Sequence, residues 1–421
     1  MKVLWLCNIV LPDFCEEFGL KKNVFGGWLT GMLAELEKVN GIEIGLVFPI
    51  IDPKRLKNGF HNKQRYYSFQ SNMSQNSPVG YSTKMVNDFE EIIKDFQPDI
   101  VHIWGTEYSH TGAMVEACEK LNLLERTVIN IQGLVSVYAK HYYAAIPEEY
   151  VSESTKSYKS IEYERNLFIE RGKIEIEALK KVRHVIGRTD WDKACAKLIN
   201  PNIKYHFCNE ILRNEFYDYA EKWHYDKCNK HSIFVSQASY PIKGLHMLLE
   251  AMPLIIEKFP DAHIYVTGID ITCKDDNGEI RPYGSYLKST ISKYNLQDKI
   301  TFLGRLNATQ MCEQFLRSNV FVSASSIENS PNSVCEAMMI GTPVVSSDVG
   351  GVNSILTHKE NALLYPYDAY YMLAYYVMEI FESEELAQKL SENGKLKSKI
   401  LQDRGRNCNQ NIDIYYDILK I

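Results

Sequence analysis

The sequence predicts an α/β protein built on two doubly wound parallel sheets. Three observations carry this: the length of the chain, short apolar runs alternating with helical stretches, and one strand–loop–helix segment with proline and glycine at its helix ends. A chain of 421 residues exceeds the roughly 250–300 at which a single core usually stops growing, so two domains are expected. Hydrophobic residues at 45% and charged residues at 24% are ordinary for a globular chain. A net charge of −6 gives no footprint for wholesale nucleic-acid binding, and no nucleic-acid partner is expected.

The strand candidates of the first half are Val3–Ile9, Ile42–Val47, Ile100–Trp104, Thr127–Ile131 and Val182–Ile186. Those of the second half are Ile233–Val235, His263–Val266, Ile300–Leu303, Val320–Ser323 and Pro343–Ser346. Parallel strands buried on both faces read as continuous apolar runs of this kind. Helical patterns such as Trp28–Glu37 and Leu245–Lys258 lie between them, which is the grammar of βαβ units. The join is expected near Pro201–Tyr217, giving domains 1–207 and 208–401. The helical spacing of 402–421, with no strand after it, returns this last segment to the first domain. Leu134–Lys181 has no convincing strand and is rich in tyrosine. It reads either as a functional excursion or as a pair of amphipathic helices covering the sheet.

The ten cysteines are scattered singly, with no C-x-x-C pair and no Cys/His set at zinc spacing. Neither a metal nor a disulfide framework is expected, and a reducing compartment fits best. The apolar start, Val3 to Leu11, is interrupted by Asn8 and has no small-residue cleavage site, so it reads as a buried strand and not a signal peptide. No apolar run approaches the ~20 residues of a membrane helix. The expected location is cytoplasmic.

The chemistry concentrates in Ser323-Ala-Ser-Ser-Ile-Glu328-Asn-Ser-Pro331-Asn-Ser-Val-Cys-Glu336-Ala-Met-Met-Ile-Gly341. A strand ends near Ser323, and a polar loop carries Glu328. A helix is expected to open with Ser330 at its cap and Pro331 at its first position, and to stop at Gly341. Its free N–H groups, those of Asn332, Ser333 and Val334 among them, would face the strand ends, a ready site for a diphosphate. Glu336 in the second turn can accept from a ribose diol, and Glu328 can reach sugar hydroxyls. Two carboxylates beside an anion site make sense only if they address hydroxyls; otherwise they are ordinary surface carboxylates.

The spacing of Glu328 and Glu336, with Gly341-Thr-Pro-Val-Val and Gly350-Gly351 after it, resembles the E-x7-E signature of glycosyltransferase family 4. The resemblance implies retaining, metal-independent, polysaccharide-biosynthesis-type enzymes of the GT-B fold: two Rossmann-like doubly wound domains facing a central cleft. On that resemblance Lys243-Gly244 is the pair whose lysine contacts donor phosphates, so Lys243 joins Glu328 as a catalytic candidate. Gly304-Arg305 resembles the segment approaching the nucleotide base, and Gly26-Gly27 the glycine-rich loop of the first domain. The donor set is therefore Gly26, Gly27, Lys243, Gly304, Arg305, Glu328, Ser330, Asn332, Ser333, Val334 and Glu336. Glu107, His110 and Gln132 are candidates on the acceptor side. His102 and His110 are more commonly core or loop histidines than catalytic ones.

Two positions depart from the family. Ser236-Gln237 stands where Gly-Arg is usual, removing a phosphate-binding arginine that Arg305 or Arg281 would have to replace. Gln132 stands where many members carry a histidine, and an amide cannot titrate. The resemblance implies transfer of a sugar from a nucleotide sugar, UDP-linked first and GDP-linked next, to a glycan or lipid-linked acceptor. A lipid carrier would bring the chain to the inner membrane face as a peripheral protein, with Lys180-Lys181-Val182-Arg183-His184 either touching lipid or forming a solvated face. No cofactor is implied, the nucleotide sugar being a co-substrate. A non-catalytic partner subunit and a sugar-nucleotide epimerase of the same architecture stay open as alternatives.

Overall fold

A computed structural model of the chain describes residues 1–22, 26–71 and 79–420. It divides into two compact units, Met1–Ala139 with Leu167–Arg213 and Gln402–Ile421, and Lys140–Asn166 with Asn214–Leu401. The division falls six residues beyond the expected one at 207/208, and residues 140–166 group with the second unit instead of the first.

The strands of the first unit are β1 Lys2–Leu6, β2 Glu43–Ile50, β3 Gly59–His61, β4 Gln64–Gln70, β5 Ile100–Trp104, β6 Thr127–Asn130, β7 His184–Gly187 and β8 Lys204–Phe207. They form one sheet in the order β3-β4-β2-β1-β5-β6-β7-β8. Only β3 runs antiparallel to its neighbour. The second unit has β9 Asn229–Val235, β10 His263–Val266, β11 Ile300–Phe302, β12 Ser318–Ser323, β13 Val344–Ser347 and β14 Leu363–Tyr365. Their order is β11-β10-β9-β12-β13-β14, all parallel. Both are Rossmann-like doubly wound sheets, in which winding reverses between β1 and β5 and between β9 and β12. The strands β3, β4, β8 and β14 escape the apolar reading because they lie at or beside a sheet edge. An edge strand needs fewer apolar residues, and Gln64 and Arg65 sit in β4, Lys204 and His206 in β8, while the apolar β14 is only three residues long.

Burial on both faces is plain in β1. Leu4 and Leu6 join a cluster with Phe89, Ile93, Ile103 and Val115. Trp5 points to the opposite face, as strand alternation requires. There its Nε1 donates to the Tyr415 hydroxyl at 3.1 Å, and the same hydroxyl meets His102 Nδ1 at 2.7 Å. Tyr415 belongs to the last helix, Arg404–Leu419; the expected end at Ile421 lies outside the described residues. This helix docks on the first unit through these buried polar contacts. His102 is thereby a core histidine, held neutral because burial lowers its pKa to about 3.

The tyrosine-rich stretch contains a 21-residue helix, Ile161–Lys181, and two four-residue ones, Val135–Tyr138 and Glu148–Val151, where one of its two readings had a pair of helices. The strap before it packs on the second unit. Glu279 accepts from Thr155 Oγ1 at 2.7 Å and from the backbone N–H groups of Lys156 and Ser157 at 3.2 and 2.6 Å. The hydroxyls of Tyr150 and Tyr158 reach Ser289 and Asp275. The tyrosines are therefore there for their polar tips as much as their rings.

In the second unit the loops after β9 and β12 touch through backbone. The Ser326 N–H donates to the Ile242 carbonyl at 2.8 Å. A Cβ on Gly244 would lie 1.8 Å from the Ala324 carbonyl oxygen, and Gly244 has φ +67°. Gly244→Ala should cost more than about 2 kcal/mol of stability, since both the clash and the left-handed backbone oppose it; thermal and urea unfolding measure this. Tyr415→Phe should cost about 1–3 kcal/mol by stranding Trp5 Nε1, read from a lowered urea midpoint at unchanged slope.

Candidate active site of the second unit

Open α/β sheets bind ligands outside the carboxyl ends of their strands where winding reverses, and β9 and β12 are the strands at that point. The loop after β9 carries Lys243 at the end of a 3-10 turn, Pro241–Lys243. The loop after β12 carries Glu328. The two side chains, 85 positions apart, pair with Lys243 Nζ 2.6 Å from Glu328 Oε1. Ser325 Oγ donates to the same oxygen at 2.7 Å. The backbone of this loop is pinned as well: Ser347 Oγ donates to the Ser325 carbonyl at 2.6 Å, and the Gly351 N–H to the Glu328 carbonyl at 3.0 Å. Gly350 must lack a side chain, because a Cβ would sit 2.0 Å from that carbonyl oxygen.

Burial alone would lower the Lys243 pKa, but the Glu328 carboxylate and then Tyr240 outweigh it and raise the value overall. Lys243 therefore stays charged, with its charge directed at Glu328. An anion entering here meets a cation already oriented by a carboxylate and can share it.

The helix behind the loop spans Asn332–Ile340, with Pro331 as its cap and Gly341 after it at φ +100°. Ser330 is thus not the cap and Pro331 not the first helical residue; the helix starts one position later. Pro331 has extended ψ, 114°, so it fits the cap position, where its carbonyl accepts from the Val334 and Cys335 N–H groups at 3.0 and 3.3 Å. Pro331 itself contributes no side-chain hydrogen bond to this N-terminus. The helix's first two amides, from Asn332 and Ser333, lie at the carboxyl end of the sheet with roughly half a unit of positive charge, whereas the Val334 amide is taken up by the Pro331 carbonyl. Glu336 is buried in the second turn.

The remaining donor candidates of this unit are placed as follows. Gly304 has φ +71°, and its carbonyl accepts from the Gly268 N–H at 2.8 Å and from Thr267 Oγ1 at 3.0 Å. Arg305 beside it is exposed. Arg281 stacks over the Tyr158 ring at 5.2 Å, so it does not replace the missing arginine in this conformation. Gln237 is exposed just past β9 with φ +92°, a backbone region that favours glycine. Ser325 escaped the sequence reading; its only signal was a hydroxyl three residues before Glu328.

The first unit holds the other candidates. Gly26, at φ +77°, caps the helix Gly27–Leu36. A Cβ on Gly26 would lie 2.2 Å from Ile9 Cδ1, and one on Gly27 2.0 Å from Arg213 Cγ, so these glycines serve packing of their own unit. Gln132 donates through Nε2 to Asn130 Oδ1 at 2.9 Å. Glu107 and His110 meet through Asn8, which the sequence marked only as a polar break in an apolar strand. In the basic cluster Lys180, Lys181 and Arg183 face Glu177, Glu119 and Glu125, while His184 is buried in β7. Among the described residues no helix is long and apolar enough to cross a membrane.

Residues 218–397 match the family described as glycosyl transferases group 1. An uncharacterized glycosyltransferase of Methanocaldococcus jannaschii is 32% identical over 135 residues, which cover 32% of this chain and 31% of that protein. A putative glycosyltransferase of Bacillus subtilis is 29% identical over 158 residues, 37% of each chain. The chain thus matches about a third of the length of these curated relatives. Sucrose-phosphate synthase from Thermosynechococcus elongatus superposes with a TM-score of 0.72 at 16% identity, covering 100% of this chain and 99% of that one. Anabaena HepE, solved in complex with UDP and glucose, gives 0.67 at 13% identity, covering 99% and 100%. These likenesses show the fold, the two Rossmann-like doubly wound units of the GT-B class. The matched segment, residues 218–397, is the one that carries Lys243, Glu328 and the helix Asn332–Ile340.

Proposed function

We propose that the chain is a retaining, metal-independent glycosyltransferase that binds a nucleotide sugar at the β9–β12 end of its second unit. The observation that carries the reading is the Lys243–Glu328 pair at the carboxyl ends of β9 and β12, in the loop that leads into the helix Asn332–Ile340. A diphosphate would take the first-turn amides and share Lys243, and Glu328 would then be released toward the hydroxyls of the sugar. Glu336, in the next turn, suits a ribose diol. Gly304 and Arg305 would border the base.

In the reaction the bond between the anomeric carbon and the diphosphate oxygen breaks, and its electron pair leaves with the nucleoside diphosphate. The acceptor hydroxyl oxygen bonds to the same face of that carbon and passes its proton to the departing phosphate oxygen. Lys243 and the helix amides stabilise the charge that grows on the leaving group, which is where preorganised donors lower a barrier most. UDP is the first choice of nucleotide and GDP the second. A glycan or lipid-linked acceptor in surface polysaccharide synthesis, handled on the cytoplasmic side, completes the proposal, with the first unit taking the acceptor. Gln237 in place of the usual arginine favours one second reading, a partner subunit that keeps the fold without catalysis.

Thermal melting with UDP and GDP tests nucleotide binding: the preferred one at about 100 times its Kd should stabilise by about 2.7 kcal/mol, and Lys243→Ala should erase the shift. Glu328→Ala should lower kcat for transfer by about 10²–10³-fold and, by leaving the Lys243 charge unpaired, lower the melting temperature of the free chain while it still folds. Full transfer by both variants sinks the assignment; nucleotide binding with no transfer to any tested acceptor favours the partner-subunit reading.

A further inference from the structure

The first sheet also reverses its winding, between β1 and β5, and there the residues following the two strands meet. Asn8 Nδ2 donates to Glu107 Oε2 at 2.8 Å, and Asn8 Oδ1 accepts from His110 Nε2 at 2.7 Å. The directions are forced. An amide oxygen only accepts, so His110 Nε2 carries the hydrogen; an amide nitrogen only donates, so Glu107 Oε2 accepts. His110 is fully enclosed and neutral, its pKa lowered to about 3 by burial and then by Arg171. It does not reach a ligand; it sets the orientation of Asn8.

The chain closes over Gly105, whose φ is +105°. A Cβ there would lie 2.2 Å from Glu107 Oε2 and 2.3 Å from Asn8 Nδ2, so this contact exists only because the residue ending the strand has no side chain. Glu107 itself remains partly exposed. The charged groups around it are Glu175, Glu210 and, beyond His110, Arg171. Glu210 is paired with Arg188 at 2.7 Å, and Glu175 is bound by Thr106 and Ser136. Burial first, with the Glu175 and Glu210 carboxylates, lifts the Glu107 carboxyl to about 7, against the opposing hydrogen bonds from its own backbone N–H and then from Asn8.

An oriented carboxyl at the open end of a doubly wound sheet, with Arg188 engaged by Glu210, suits a neutral polyhydroxyl ligand and not an anion. We propose that Glu107 binds a hydroxyl of the sugar acceptor at the carboxyl end of the first sheet, with Asn8 and His110 as its positioning residues. Calling that sugar the acceptor rests on the glycosyl-transfer reading above; the binding itself does not. The ionised carboxylate is the stronger hydrogen-bond acceptor, so affinity should rise with pH through about 7 and fall away on the acid side.

The full chain is titrated with methyl α-D-glucopyranoside, methyl α-D-galactopyranoside and methyl α-D-mannopyranoside, followed by saturation-transfer difference NMR at pH 6, 7 and 8. At least one glycoside should bind, about tenfold more tightly at pH 8 than at pH 6, as the ionised fraction changes. Glu107→Gln should weaken binding and flatten its pH dependence. His110→Ala should weaken it, and His110→Gln, which keeps a donor toward Asn8, should restore it. The wild-type pH profile needs no variant to fold. Absence of glycoside binding by the wild-type chain, or a Glu107→Gln chain that keeps wild-type affinity and pH dependence, overturns the proposal. UDP titrated into the same samples separates the two readings: glycoside binding without UDP binding removes the donor assignment alone, and UDP binding without glycoside binding removes this one alone.

Discussion

The site of the second unit depends on one close approach, that of the Gly244 backbone to the Ala324 carbonyl. At a hypothetical Cβ distance of 1.8 Å nothing larger than hydrogen fits, so the loops after β9 and β12 can come together only at this residue type. That approach brings Lys243 within 2.6 Å of Glu328. The remaining contacts, Ser326 to Ile242, Ser347 to Ser325 and Gly351 to Glu328, hold the loops in that place. A side chain can be aimed to within a few tenths of an ångström only when its backbone is fixed first.

The charges in this site are balanced before any ligand arrives. Lys243 is neutralised by Glu328, and Ser325 satisfies the same carboxylate oxygen. Removing one partner of so enclosed a pair leaves an uncompensated charge, which makes the pair structural as well as chemical. The helix that opens at Asn332 adds backbone donors, and its cap residue, Pro331, contributes no side-chain hydrogen bond. Gln237, one strand away, keeps a φ of +92° without the glycine that this conformation favours. Strained backbone of this kind tends to gather where ligands bind.

The two units repeat one physical arrangement with different chemistry. Each leaves polar groups at the strand ends where winding reverses: a lysine–carboxylate pair in the second, an amide–carboxyl–imidazole chain in the first. Glycine makes both possible, Gly244 in one and Gly105 in the other. The histidines divide on burial. His102 serves the docking of the last helix through Tyr415, and His110 serves the orientation of Asn8.

Much of this was legible in the residues. Continuous apolar runs located ten of the fourteen strands among the described residues, because strands buried on both faces cannot hide polar residues. Glu328, Pro331 and Gly341 announced a helix end, because caps and terminators obey local backbone rules. The four missed strands lie where only part of a strand is buried, and the strap of 140–166 was invisible because its partners, Glu279 and Asp275, are more than a hundred residues away. The sequence by itself determined the fold class and the helix that follows the Glu328 loop, since both follow from local periodicity and sterics. Only the tertiary structure decided that Lys243 meets Glu328 and that Asn8 joins Glu107 to His110. Those pairings are set by strand order, which brings distant loops together and leaves no mark in the spacing along the chain.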